Sequence, residues 1–217
     1  MYKTLAGLSL IPFLFSTLAK AEGMAGISVG QAFYSDNSLS GAYSSSSDIG
    51  SDSRGTSFKI HGGLPLSHHL SAHFGLYSLG GISSHHTNTI TLDNNGTLIE
   101  VPYADVSKQL DNRGFFLEGR WQWRAGAAWR PYVKAGMAIN TSEIRDTVTV
   151  INSAQPAENM RESRSSVAPA PGIGMVYESL RHWGLQLELE RYLGVKAPAD
   201  LPDRDIDSAS LGIYGYW

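Results

Sequence analysis

The chain has 217 residues, 42% of them apolar and 17% charged, with a formal net charge of -3. That length suits one ordinary domain, and the charge, with no basic patch interleaved with aromatics, argues against a general nucleic-acid binder. Cysteine is absent, which excludes a disulfide framework, a thiolate metal site and a cysteine nucleophile.

Lys3 precedes an apolar run from Leu5 to Leu18, and Ala19-Lys20-Ala21 supplies small residues where a signal peptidase reads. Residues 1–21 are therefore expected to be a signal peptide, with the mature domain over 22–217. No later stretch approaches the roughly 20 apolar residues of a membrane helix. The remainder, with 23 glycines and many Ser, Thr, Asn and Asp between short apolar runs, reads as all-β.

In chain order, the first strand is expected at Gly26–Ser35, with Ile27, Val29 and Phe33 on one face, interrupted by Gln31. Asp36–Gly55, rich in Ser, Gly and Asp, reads as a long loop. Strands follow at Thr56–Gly63 and Leu70–Leu79, joined by a short turn containing Pro65. Gly80–Arg113 is too long for a structureless loop in a compact domain. Its Asn95-Gly96 between β-rich arms signals a hairpin, either an extension of the flanking strands beyond a membrane or a small exposed unit.

Gly114–Trp123 alternates cleanly, with Phe115, Leu117, Trp121 and Trp123 opposite Phe116, Glu118, Arg120 and Gln122. Trp129–Asn140 sets Val133, Met137 and Ile139 against Lys134 and Ala138, and Thr141–Arg164 reads as a third long loop. Ser165–Glu178 is the sixth strand, with regular pairing expected only after Pro169 and Pro171, which cannot donate to a ladder. Trp183–Leu193 carries the sharpest pattern: Trp183, Leu185, Leu187 and Leu189 alternate with Gly184, Gln186, Glu188 and Glu190. A loop over Val195–Arg204 precedes the last strand, Asp205–Trp217.

Taken singly, such a strand fits either the edge of a soluble sandwich or a membrane barrel. Two regularities favour the barrel. Connections alternate long and short, as extracellular loops and periplasmic turns do. In a meander, Trp121, Trp123, Trp129, Trp183 and Trp217 all fall near one rim, as a periplasmic aromatic belt would. The expected fold is an eight-stranded antiparallel up-and-down transmembrane β-barrel with short periplasmic turns and long extracellular loops.

On that fold Lys59, Glu118, Arg120, Lys134, Glu188 and Glu190 face inward. Three acids meet three bases, so pairing across the lumen is the expected structural role, in preference to acid–base catalysis by Glu188 and Glu190. His61 and His73 share the inward face of neighbouring strands and would bind a metal or move protons if the register joins them, but no third ligand is evident. The H-x-S run His69-Leu70-Ser71 lies by a periplasmic turn, the wrong end for a lipid hydrolase. No catalytic residue, metal or cofactor is expected.

The runs R-P-Y-V-K-A-G-M-A from Arg130, P-G-I-G-M-V-Y-E from Pro171, L-Q-L-E-L-E from Leu185 and the terminal G-I-Y-G-Y-W resemble the small outer-membrane barrels of the OmpA/OmpX type. The likeness spans Gly26 to Trp217 and implies residence in the outer membrane. It also implies that Trp217, with Ile213, Leu211 and Ala209 alternating back from it, signals to the barrel-assembly machinery; Gly215 stands where an aromatic is usual. An eight-stranded lumen is filled by side chains, so function is expected in the exposed loops. The leading expectation is a monomeric structural or surface-interaction protein that meets host or cell-surface ligands through loops, with Asn95, Gly96, Leu98, Ile99 and Val101 as the candidate recognition hairpin. The alternatives are an enzyme acting on outer-membrane lipid and a narrow gated channel.

Overall fold

A computed structural model describes residues 23–35, 46–51, 53–94, 97–123, 128–151, 158–180, 182–198 and 201–217. The expected signal peptide at 1–21 and the proposed new N-terminus at Glu22 lie outside them. The strands are β1 (Met24–Tyr34), β2 (Ser46–Ser51), β3 (Arg54–Pro65), β4 (Leu70–Asn94), β5 (Thr97–Gln122), β6 (Trp129–Val150), β7 (Glu158–Pro169), β8 (Gly172–Leu180), β9 (Trp183–Val195) and β10 (Arg204–Tyr216).

All pairings are antiparallel, and the ring runs β1-β3-β4-β5-β6-β8-β9-β10 before β10 returns to β1. β7 and β8 are two halves of one stave, interrupted at Ala170-Pro171, so the barrel has eight staves. Closure leaves no edge in the spanning region, which is what lets a sheet cross a bilayer. The faces are inverted relative to a soluble sandwich. Leu187 and Leu211, paired in register, are 49% and 57% exposed, whereas Glu188 beside Leu187 is 1% exposed. Ile27, Val29, Phe58, Ile60, Leu76, Leu117, Met137, Ile139 and Ile173 continue this outward band.

Three expectations are corrected, and the choice left open over Gly80–Arg113 is decided. Within Asp36–Gly55, Ser46–Ser51 forms β2 on the flank of β4, and Arg54 and Gly55 already belong to β3; the run S-S-D-I-G-S has no apolar alternation to signal a strand. Gly80–Arg113 is the prolonged-strand alternative: β4 and β5 run 25 and 26 residues and pair from Leu70↔Trp121 to Asn94↔Thr97. Thr141–Arg164 is chiefly strand as well, with Val148↔Glu158 the last rung between β6 and β7; residues 152–157 lie outside the described residues. Pairing does not wait for the prolines either. β7 pairs with β6 up to Met137↔Pro169, because across the break Ala170 N–H donates to Gly136 O at 2.9 Å and Pro171 O accepts from Arg191 N at 3.0 Å. Each proline forfeits only its own donor.

One irregularity is functional for the architecture. Buried positions on β4 are odd up to Leu79 and even from Ile82, and the register shifts between Ser78 and Gly80. Gly80 takes φ +69°, a left-handed conformation that glycine adopts without penalty. This bulge turns β4 so that its inner face stays inward above the membrane level.

Candidate functional site

The lumen is filled in layers. Lys59, Glu118, Arg120, Lys134, Glu188 and Glu190 occupy the middle, each at most 7% exposed. Lys59 Nζ reaches Glu188 at 2.7 Å and Glu190 at 2.5 Å. Lys134 Nζ reaches Glu118 at 2.9 Å, and Glu188 and Glu190 at 2.8 Å each. Arg120 lies 3.4 Å from Glu188 and 3.8 Å from Glu118. The structure thus brings all six into one charge-balanced cluster, in which every ion has an opposite partner and the desolvation of each is offset by more than one neighbour.

Three uncharged residues complete it. Tyr132 donates to Glu188 at 2.9 Å and lies under the Arg120 guanidinium, 4.1 Å from its ring centroid; Tyr192 donates to Glu190 at 2.8 Å; Gln186 donates to Glu188 at 3.0 Å. Their inward parity was available in the sequence, since Tyr132 lies two positions from Lys134, and Gln186 and Tyr192 lie two from the glutamates. Space for Lys134 comes from Gly172 directly across the ladder, where a Cβ would meet Lys134 Cε at 2.6 Å.

Outward of the ions sits an apolar layer that includes Tyr77, Phe116, Tyr192, Ala138 and Ala168, with Leu79, Ile82, Leu110, Ile144 and Ile206 above it. A hydrogen-bonded group of Tyr34, Asn112, Asn140, Ser142 and Tyr77 ties these layers together. At the opposite end, Tyr132, Val176 and Tyr214 pack with Met24. His61 and His73 lie beside that end, ring centroids 6.2 Å apart. His69 and Ser71 diverge: the His69 ring meets the Gln122 carbonyl at 3.0 Å, while Ser71 Oγ meets His73 Nε2 at 2.8 Å. Among the described residues no three His, Asp or Glu side chains gather as a metal site.

The exterior has two features. Trp121, Trp123, Trp129, Trp183 and Trp217 are 41–57% exposed on the outward face. All sit at the end that carries the short turns, where Gly23 and Trp217 exchange backbone hydrogen bonds. Trp121 and Trp123 meet edge-on at 4.1 Å, and Trp129 lies 4.5 Å from Tyr177. The terminal residues Leu211 and Ile213 point outward, opposite Leu187 and Leu185.

At the other end, β4, β5, β6 and β7 rise beyond the apolar band, flanked by β2. There Glu143 accepts from Arg161 at 2.6 Å and Arg145 at 2.7 Å, with Arg113 at 3.6 Å. The Arg161 and Arg145 hydrogen bonds hold its carboxyl below the usual value. Sequence reading missed this cluster because it assigned Thr141–Arg164, and with it Glu143, Arg145 and Arg161, to a loop, so the register that joins Arg145 to Arg161 was unknown. Of the candidate hairpin, Asn95 and Gly96 lie outside the described residues. The backbones of Leu98, Ile99 and Val101 pair with Asp93, Leu92 and Ile90.

No protein-family model and no curated protein matches the sequence. Among solved structures the chain is similar to Neisserial surface protein A, with a TM-score of 0.51 and 13% identity, covering 90% of this chain and 97% of that one. It is equally similar to a major outer membrane protein from Thermus thermophilus, with a TM-score of 0.51 and 11% identity, covering 90% and 99%. The fold is that of the small outer-membrane barrels. The likeness is one of architecture, and it agrees with the inverted faces and the single tryptophan rim.

Proposed function

We propose that this barrel resides in the outer membrane and acts at the cell surface, its extracellular sheet recognising a ligand on a host, on extracellular matrix or on another cell. The observation that carries this reading is the length of β4 and β5. About half of each strand lies above the apolar band, more than closing the barrel requires. The sheet raised on that extension presents Tyr103 of β5, Val150 of β6 and Met160 of β7 at 41%, 41% and 64% exposure, where Tyr103 accepts a backbone bond from Ile151 beside Val150. Exposed apolar side chains on a polar, strand-built platform suit the binding of a partner. The packed lumen supports a role outside the pore.

The test is a measured excision. Removing all of Gly80–Arg113 would strip Ile82, Leu110 and Asn112 from the buried layers, so the separable part is smaller. β2 last pairs with β4 at Asn88, and β6 last pairs with β5 at Ala104, so, among the described residues, 89–102 pair only with each other, and Tyr103 is held from outside by the Ile151 N–H alone. Replacing 89–103 by a tight turn should abolish binding to cells or matrix while the barrel retains its heat-sensitive gel mobility. Unchanged binding by the shortened barrel would refute the assignment. A change in surface-lipid acylation that depends on the intact protein would favour the lipid enzyme instead.

A further inference from the structure

We propose that Met24, His61 and His73 form a binding site for a soft monovalent metal ion, Cu(I) or Ag(I), at the periplasmic end of the lumen. The ladder places them together. Gly26 pairs with His61 and Met24 with Gly63 between β1 and β3, and Gly63 pairs with His73 between β3 and β4. All three side chains therefore project inward on adjacent rungs. A Cβ on Gly63 would lie 2.9 Å from Met24 Cγ and 2.9 Å from His73 Nδ1, so the Met24 side chain and that ring nitrogen converge over a glycine that has no side chain to separate them. Gly26 likewise leaves room for His61, whose Nε2 would lie 2.8 Å from a Cβ there.

The imidazoles are available as ligands. His61 is 4% exposed and His73 is fully buried, yet neither nitrogen of His61 nor Nδ1 of His73 has a hydrogen-bond partner. Ser71 engages the other nitrogen of His73 and so fixes that ring with Nδ1 toward Gly63, which is how a supporting group orients a metal ligand. Two imidazoles sharing an ion at bonds of about 2 Å have centroids about 6 Å apart when nearly opposed. The 6.2 Å separation is of that size.

Ligand chemistry and charge select the ion. A thioether with two neutral imidazoles is a soft donor set, suited to Cu(I). Charged groups at this end include Arg120, opposite Ser71, Glu118, opposite His73, and Glu178, which accepts from Tyr214 beside Met24. Glu118 is already engaged by Lys134 and Arg120, Glu188 and Glu190 by Lys59 and Lys134, and Glu178 by Arg130. With no carboxylate left to offset a dication, a single positive charge is the tolerable one. Met24, half-buried at the lumen mouth against Tyr132 and Tyr214, offers its sulfur first, with the imidazoles behind it.

The experiment titrates the refolded mature barrel in non-ionic detergent with Ag(I), and with Cu(I) against a competing chelator. The chain used carries His68→Asn, His69→Asn, His85→Asn and His86→Asn, which removes the paired histidines outside this cluster. One equivalent should bind. Met24→Leu, which preserves volume, and His61→Gln should each weaken binding at least about 10- to 100-fold, with folding verified by the heat-sensitive gel shift. Zn(II) should bind more weakly than Ag(I). X-ray absorption of the Cu(I) form should show both sulfur and nitrogen neighbours. Absence of binding, equal affinity in wild type and Met24→Leu, or tighter binding of Zn(II) would each overturn the proposal.

Discussion

Leu187 and Glu188 are adjacent in the chain and face different solvents, so substitutions at the pair read out the two sides of the wall. Leu187 lies between Met175 and Leu211 on the outward band. Leu187→Arg should cost about 2 to 4 kcal/mol, as a charge near the bilayer midplane does. Glu188 is contacted by Lys59, Lys134, Arg120, Tyr132 and Gln186. Glu188→Ala should cost about 3 to 5 kcal/mol, because it strands buried cations. Glu188→Gln, which keeps a polar group of the same shape, should cost less than Glu188→Ala. Urea midpoints of the refolded barrel in detergent measure all three; a Leu187→Arg barrel as stable as the parent would contradict a lipid-facing leucine. Every member of the lumen charge cluster was legible in the sequence, because a period of two fixes the inward face without knowledge of the register. Who pairs with whom was not, since distances across the lumen depend on closure.

The elements divide at the upper edge of the apolar band. Below it, lipid on one side and packed lumen on the other impose alternation, and strand limits read from sequence fall within a few residues of those observed. Above it, Glu158–Ser165 of β7 is exposed on both faces, so no apolar period marks the strand and composition alone suggests a loop. β2 escaped notice because its sequence, S-S-D-I-G-S, carries no apolar alternation. The hairpin of β6 and β7 is pinned instead by Glu143 between Arg145 and Arg161, and this gives it a pH dependence. Because the folded carboxyl sits below its ordinary 4.5, the stabilisation is complete above that pH and is lost as pH falls through the lower folded value. Amide exchange at Ile144 and Glu162, which pair across this hairpin, should therefore accelerate below pH 4.5 relative to Phe116 in the barrel wall. Glu143→Gln should remove that pH dependence. Acceleration that persists in Glu143→Gln would assign the effect elsewhere.

For the whole molecule, the central claim is that the outward band faces lipid and that the tryptophans mark its periplasmic border. Nothing in a soluble all-β protein would place half-exposed leucines around a full circumference while burying six charges at its axis. The tryptophans are built-in depth probes, since all five share one rim and one outward orientation. The most direct measurement is quenching of their fluorescence in the barrel reconstituted into bilayers, using lipids brominated at different depths and aqueous iodide. Strong quenching by bromines placed shallow in the chain near the headgroups, weak quenching by bromines near the bilayer centre and limited access for iodide are the predicted result. Tryptophans quenched by iodide and untouched by brominated lipid at any depth would contradict the transmembrane barrel.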